Sequence, residues 1–248
     1  MPVMDEFQEE REALKQASIW EKIKYFVYYY KWHTVAAIAV LIIGFTWIRD
    51  VVTSKDAAFY AAIVNGAALN NAEEFNLAFT AYSGIDNQKY DVIFDTSMQL
   101  VSGSGDQMSV ASSQKLVAYS SIGELDILCA NQSLFTDYAN STFFYDLREI
   151  LTPEQMEQCK PYLYYVDRPV VEAMEEAEPT FDNPTPIEVP DPSKPELMED
   201  PIPVGLFAND LKTLTDYYYL GPEDAALGIP INTKNLDNAI KFLTFITR

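Results

Sequence analysis

An α/β fold, one mostly parallel sheet with helices on both faces preceded by a single transmembrane helix, is predicted by three observations. Short apolar runs closed by turn residues alternate with helical periodicities from residue 57 onward. An uncharged apolar stretch, Thr34 to Ile48, stands ahead of them. A hydrophobic content of 48% over 248 residues can bury one substantial core and little more. The expected organisation is an N-terminal arm over 1–31, a spanning helix with its flank over 32–52, and an α/β domain over 53–248 with an excursion at 167–203.

The apolar stretch extends to 17 residues when Trp32 and His33 are included. At ~1.5 Å per residue it is about 25 Å long, slightly short of a ~30 Å hydrocarbon core, so the flanks must supply the rest. All three tryptophans, Trp20, Trp32 and Trp47, fall here, and Tyr28, Tyr29 and Tyr30 precede Lys31, as in an interfacial aromatic belt with a snorkelling anchor. Arg11, Lys15, Lys22, Lys24 and Lys31 lie before the stretch, whereas only Arg49 and Lys55 follow closely. That asymmetry puts the N-terminus in the cytoplasm and the C-terminal domain outside, in the cell membrane. A cleaved signal peptide would need a shorter basic region and small residues where Trp47, Ile48 and Arg49 stand, and a buried core helix would show a polar stripe. Residues Glu9 to Ile23 read as an amphipathic helix leading into the span.

In the outer region, Ala57 to Val64 reads as a buried strand ended by Asn65-Gly66. A helix capped by Asn70 or Asn71 follows, with Phe75, Ala78, Phe79 and Tyr82 on one face and Gly84 closing it. Tyr90 to Phe94 is a second strand, Gln107 to Ser120 a helix, Leu125 to Cys129 a third strand, and Ser133 to Asn140 another helix. Thr152-Pro153-Glu154-Gln155 opens a short helix, and Tyr162 to Val166 fits a strand. Pro169 to Pro203 holds nine of the 14 prolines, and Asp167 to Asp200 carries 11 acids against two bases, which predicts an exposed excursion outside the core. Order resumes at Val204 to Ala208 and Leu227 to Ile231. A last helix, near Asn235 to Ile246, turns Ala239, Phe242, Leu243 and Ile246 inward.

Charge and composition exclude several classes. Residues 53–248 carry 11 Lys/Arg against 30 Asp/Glu, a surface that repels phosphate backbones, so no nucleic-acid partner is expected. The single histidine, His33, lies beside the apolar run, which removes histidine-based triads and histidine-ligated zinc from the outer domain. Cys129 and Cys159 form neither a disulfide framework nor a metal knuckle, and they read as buried thiols or as one outer bridge. No cofactor and no metal are expected. The clustered Glu175, Glu176 and Glu178 match no calcium loop.

Two stretches resemble known families. Tyr28-Tyr29-Tyr30-Lys31-Trp32-His33-Thr34 running into the apolar stretch resembles the start of uncharacterised clostridial single-pass membrane proteins. The segment Gly123-Glu124-Leu125-Asp126-Ile127-Leu128 through Tyr138 to Leu147 resembles the extracellular solute-binding proteins of ABC importers. So does the ending Gly228-Ile229-Pro230-Ile231-Asn232-Thr233-Lys234-Asn235 through Ala239, Phe242 and Leu243. The resemblance implies that the last segment returns to the first lobe as a strand and helix. Only about 60 residues separate Tyr162 from Gly221, much of them proline-rich, so a full second lobe does not fit and a single lobe is expected.

Ligand crevices in parallel sheets lie beyond the carboxyl ends of the strands, which makes Asn65, Asp95, Thr96, Ser97, Asn131 and Gln132 the candidate ligand-binding residues. Ser102-Gly103-Ser104-Gly105 could present amides to an anion, but it lacks a P-loop lysine and Asp106 adds a negative charge. Tyr217, Tyr218 and Tyr219 could stack on a sugar or peptide, or bridge core and surface. The expected function is a membrane-tethered, non-enzymatic recognition module contacting a small solute, a peptide or another membrane or extracytoplasmic protein. The alternatives are a structural subunit of a membrane complex with no small-molecule ligand and a carboxylate-dependent hydrolase, for which no pair of carboxylates stands out.

Overall fold

The computed structural model describes residues 18–53, 55–101, 105–176 and 187–248, and the chain divides into two compact units, 1–54 and 55–248. The first contains one long helix, α1 (Ile19–Thr53). From Val35 to Ile48 its described apolar side chains, among them Val35, Ile38, Val40, Leu41, Ile42, Phe45, Trp47 and Ile48, are all exposed and lie around the whole circumference. Among the described residues, no helix is long and apolar enough to cross a membrane. Most of the amphipathic stretch expected over Glu9 to Ile23 lies outside the described residues, as do Arg11 and Lys15.

In the second unit, β1 (Asp56–Ile63) is apolar at nearly every position because it is covered on both faces. Phe59, Ala61 and Ile63 face one core, and Tyr60, Ala62 and the following Val64 face the other. A two-residue strand, β2 (Ala67–Ala68), leads to α2 (Ala72–Ser83). Gly84 ends α2 in the left-handed region, its amide bonded to the Thr80 carbonyl. Ala72, Phe75, Phe79 and Ser83 form the buried face of α2. Ala78 is exposed and Tyr82 only partly covered, so the expected face is rotated by part of a turn. Asn71 occupies the N-cap position but makes no side-chain capping bond.

The chain continues through β3 (Tyr90–Asp95), α3 (Gln107–Ser121), β4 (Ile127–Asn131) and α4 (Gln132–Ala139). Both β3 and β4 pair with β1 in parallel, as βαβ connections require. Two short helices follow, α5 (Leu147–Ile150) and α6 (Pro153–Cys159). Thr152 and Gln155 close the expected capping box at the start of α6, with the Thr152 amide donating to Gln155 Oε1 at 2.8 Å. Next come β5 (Leu163–Asp167), α7 (Arg168–Glu176) and β6 (Pro201–Phe207). The single-turn helix α8 (Lys212–Thr215), β7 (Tyr218–Tyr219), β8 (Ala225–Gly228) and α9 (Leu236–Ile246) complete the chain.

The six main strands run in the order β3-β1-β4-β8-β6-β5, and β2 pairs with β7 as a small second sheet. Only the adjacent pairs β3–β1 and β1–β4 are parallel. The pairs β4–β8, β8–β6 and β6–β5 are antiparallel, so the sheet is mixed and the mostly parallel expectation is corrected. The physical reason is that β5, β6 and β8 follow one another in the chain as adjacent strands of this sheet, and each return reverses the direction of the next, so β8 meets β4 antiparallel. Helices do cover both faces. Phe75 and Phe79 of α2 and Phe242, Leu243 and Ile246 of α9 pack on one, while Leu116 of α3, Phe135 of α4 and Val171 of α7 pack on the other.

The excursion is also corrected. Its described parts pack: Val171 and Met198 are buried, the Tyr165 amide donates to the Pro192 carbonyl at 3.0 Å, and Asp167 accepts from the amides of Glu199 (3.1 Å) and Asp200 (2.8 Å). Pro201 and Pro203 lie inside β6, which the proline count had argued against. They are tolerated because β8 pairs with β6 only from Leu206 on, so their missing amides face no partner strand on that side. Residues 177–186 lie outside the description.

Candidate functional site

The parallel half of the sheet sends β1 and β4 out at the same end, and the residues just past each strand turn sharply there. Asn65 has φ of 58°, a left-handed conformation that asparagine tolerates better than most residues. Its side chain acts as a backbone mimic toward the segment arriving from β3: Nδ2 donates to the Leu100 carbonyl at 2.7 Å and Oδ1 accepts from the Leu100 amide at 2.9 Å. Asn131 ends β4 and caps α4, with Oδ1 accepting from the Leu134 amide at 3.2 Å, while Nδ2 donates to Glu223 Oε2 at 2.6 Å. Between them lies a cleft of about 430 Å³. Asn65, Leu100 and Val101 form one side, Asn131 and Ser133 another, and the turn from Leu220 to Glu223 crosses between.

Of the six candidates, the structure brings Asn65 and Asn131 to this cleft and does not place the other four on its walls. The Gln132 amide is bonded to the Asp224 carbonyl at 2.7 Å. Thr96 lies half-buried in the segment after β3. Asp95 and Ser97 belong to a separate polar cluster, in which Lys115 Nζ lies 2.5 Å from Asp95 Oδ2 and 3.2 Å from Ser97 Oγ, the Ser97 amide donates to Asp95 at 2.7 Å, and the Tyr60 hydroxyl donates to Asp95 as well. Burial alone would raise the Asp95 carboxyl, yet hydrogen bonds from Lys115, Ser97 and Tyr60 hold it well below the usual carboxylate range. Burial, reinforced by Asp95, pushes the Tyr60 phenol far upward.

A serine beside a lysine invites a nucleophilic reading. Here Lys115 is engaged by Asp95 in a partly buried ion pair, and the cluster fastens the β3 end to α3. Because the Asp95 carboxyl is depressed on folding, its contribution is present above the unfolded value near pH 3.9 and is lost as pH falls through the folded one. Asp95→Asn is therefore expected to cost about 1–2 kcal/mol at pH 7, discounted for the partly exposed Lys115. Urea melts should show that deficit shrinking below pH 4. A deficit that is constant with pH would mean the ion pair contributes nothing.

Glu223, Ser133 and Leu220 are lining residues that sequence reasoning missed. Since β8 is antiparallel to β4, its first residue, Ala225, pairs with Asn131, the last residue of β4. Whatever precedes β8 is thus delivered to the carboxyl end of β4. The signal available was the Gly221-Pro222 turn, and it points to the cleft only once the strand direction is known.

The chain matches no family model, no curated protein and no solved structure. Cys129 and Cys159 are free and buried, with burial pushing their thiols up to about 12 and about 11, which suppresses the reactive thiolate. Among the described residues no group of three or more His, Cys, Asp or Glu side chains could hold a metal ion. Tyr218 is a core residue whose hydroxyl donates to Asn76 Oδ1 at 2.6 Å, leaving only Tyr219 of the aromatic run well exposed. Of the Ser-Gly-Ser-Gly loop, 102–104 lie outside the described residues, and the start of α3 is already capped by Asp106, which accepts from the amides of Met108 and Ser109.

Proposed function

We propose that this protein is a membrane-anchored extracytoplasmic recognition module, non-enzymatic and related to one lobe of solute-binding proteins, which meets its ligand at the cleft beyond β1 and β4. The observation that carries the reading is the cleft itself. It is open, stands at the carboxyl ends of two parallel strands, and combines a carboxylate and a hydroxyl with apolar walls. A purely structural subunit would be expected to fill that crevice. With a single lobe the site has one wall, so affinity for a small solute is weak unless a partner protein completes it.

Anchoring is supported by α1, whose apolar side chains between Val35 and Ile48 are exposed on every side; a helix apolar all round is stable only when buried in protein or lipid. Those 14 residues span about 21 Å, less than the ~30 Å of a hydrocarbon core, so the reading requires the flanking aromatics at Tyr28 to Trp32 to complete the span. Basic residues ahead of the span place the N-terminus in the cytoplasm. Protease added to intact protoplasts is expected to remove the acidic domain and leave the N-terminal arm. Protection of the domain, or its release into the soluble fraction by a carbonate wash, would sink the anchored, outward-facing reading.

A further inference from the structure

The cleft has only one formal charge among its described lining residues, that of Glu223. Its two side-chain amides each already make two hydrogen bonds. Asn65 uses both ends of its side chain on Leu100, and Asn131 uses both of its own on Leu134 and Glu223. Among the described residues no hydrogen bond reaches Glu223 Oε1 or the Ser133 hydroxyl, so these two side-chain oxygens of the cleft are open to a donor on a ligand. The start of α4, which would otherwise attract an anion, is already capped by Asn131 and has Glu223 beside it. Asn131 holds Oε2 at 2.6 Å and leaves Oε1 open. The rest of the wall is apolar, formed by Leu100, Val101, Leu220 and Pro222. The strongly negative charge of residues 53–248 raises the local concentration of cations and repels anions.

Resting on the recognition reading above, we infer that this cleft takes a primary ammonium group carried on an aliphatic stem. The ammonium donates to Glu223 Oε1 and Ser133 Oγ, and the stem lies along Leu100, Val101 and Leu220. A cleft of about 430 Å³ accommodates a stem of several methylenes with water to spare. Two sources offer this chemistry, a free alkyl amine and the lysine side chain of a protein.

The test follows the methyl resonances of Leu100, Val101 and Leu220 in the full-length chain, held in non-ionic micelles, as four probes of matched stem are added. They are 1,5-diaminopentane, a lysine residue blocked at both its α-amino and carboxyl ends, the diacetylated diamine, and glutarate. The two amines are expected to shift these resonances saturably, the diacetylated diamine and glutarate not. Glu223→Gln should weaken the amines about tenfold while the melting temperature is unchanged, since Glu223 is exposed. A stronger response to the free diamine points to a solute, and a stronger response to the blocked lysine to a protein partner. If the acetylated or anionic probe binds and the amines do not, or if Glu223→Gln leaves amine affinity unchanged, the ammonium assignment falls and the recognition cleft stands. If none of the four moves these methyls, both fall.

Discussion

Phe79→Ala is expected to destabilise the α/β domain by about 3–5 kcal/mol, the range for removing a large side chain from a packed core. Phe79 is fully buried on the inner face of α2, and its ring meets Phe59 at 4.7 Å, Phe242 at 5.3 Å, Phe245 at 5.6 Å and Phe94 at 6.0 Å between centroids. Those partners come from β1, α9 and β3, so the cavity would open where three distant parts of the chain converge. Tilted and edge-on packing of this kind contributes beyond the buried area. The other aromatic face of α2 supplies the control: Tyr82→Ala, at a partly exposed position, should cost no more than about 1 kcal/mol. Guanidinium titrations followed by near-UV circular dichroism should show a lower midpoint for Phe79→Ala with an unchanged slope. A loss below about 1 kcal/mol would mean that this cluster is not the centre of the core.

The layered α/β character was legible because β1 is apolar on both faces and because α2 and α9 each present a buried, largely apolar stripe at helical spacing, whereas that of α3 is mostly serine. Strand direction was not. Nothing local distinguishes β8, four residues of Ala, Leu and Gly, as antiparallel, since its direction shows only in its pairing with β4 and β6. The same blindness hid Glu223 and Leu220, which reach the cleft only through that antiparallel pairing. Prolines misled in the opposite sense. Pro201 and Pro203 argue against a strand by propensity, yet β8 pairs with β6 only from Leu206 on, so on that side no partner strand calls for the amides they lack. Of the candidate residues at the strand ends only Asn65 and Asn131 line the cleft, and Asn65, Asp95 and Asn131 spend hydrogen bonds on holding neighbouring segments. Polar residues at a strand end serve as caps and clamps before they serve a ligand.

Asp126 carries the second large effect. It is completely buried just ahead of β4, where Oδ2 accepts from the Tyr60 amide at 2.8 Å and from Asn235 Nδ2 at 3.2 Å, and the Thr233 hydroxyl donates to Oδ1. One carboxyl thereby ties the start of β4 to β1 and to the loop ahead of α9, more than 100 residues away in sequence. Asp126→Ala strands the buried Tyr60 amide and removes two further bonds, so a loss of about 2–4 kcal/mol is expected. Asp126→Asn separates shape from charge. Burial, the largest influence, outweighs the three donors and raises the Asp126 carboxyl above its ordinary value. A carboxyl raised on folding contributes its stability below the unfolded value near pH 3.9 and loses it as pH climbs through the folded one. The asparagine cannot ionise, and its NH₂ can donate to Thr233 Oγ1 while its oxygen keeps Tyr60 and Asn235. The Asn variant should therefore gain on the wild type as pH rises from 4 toward 8 in paired urea titrations. A gap between the two that does not change with pH would show the three donors prevailing over burial, with Asp126 ionised throughout.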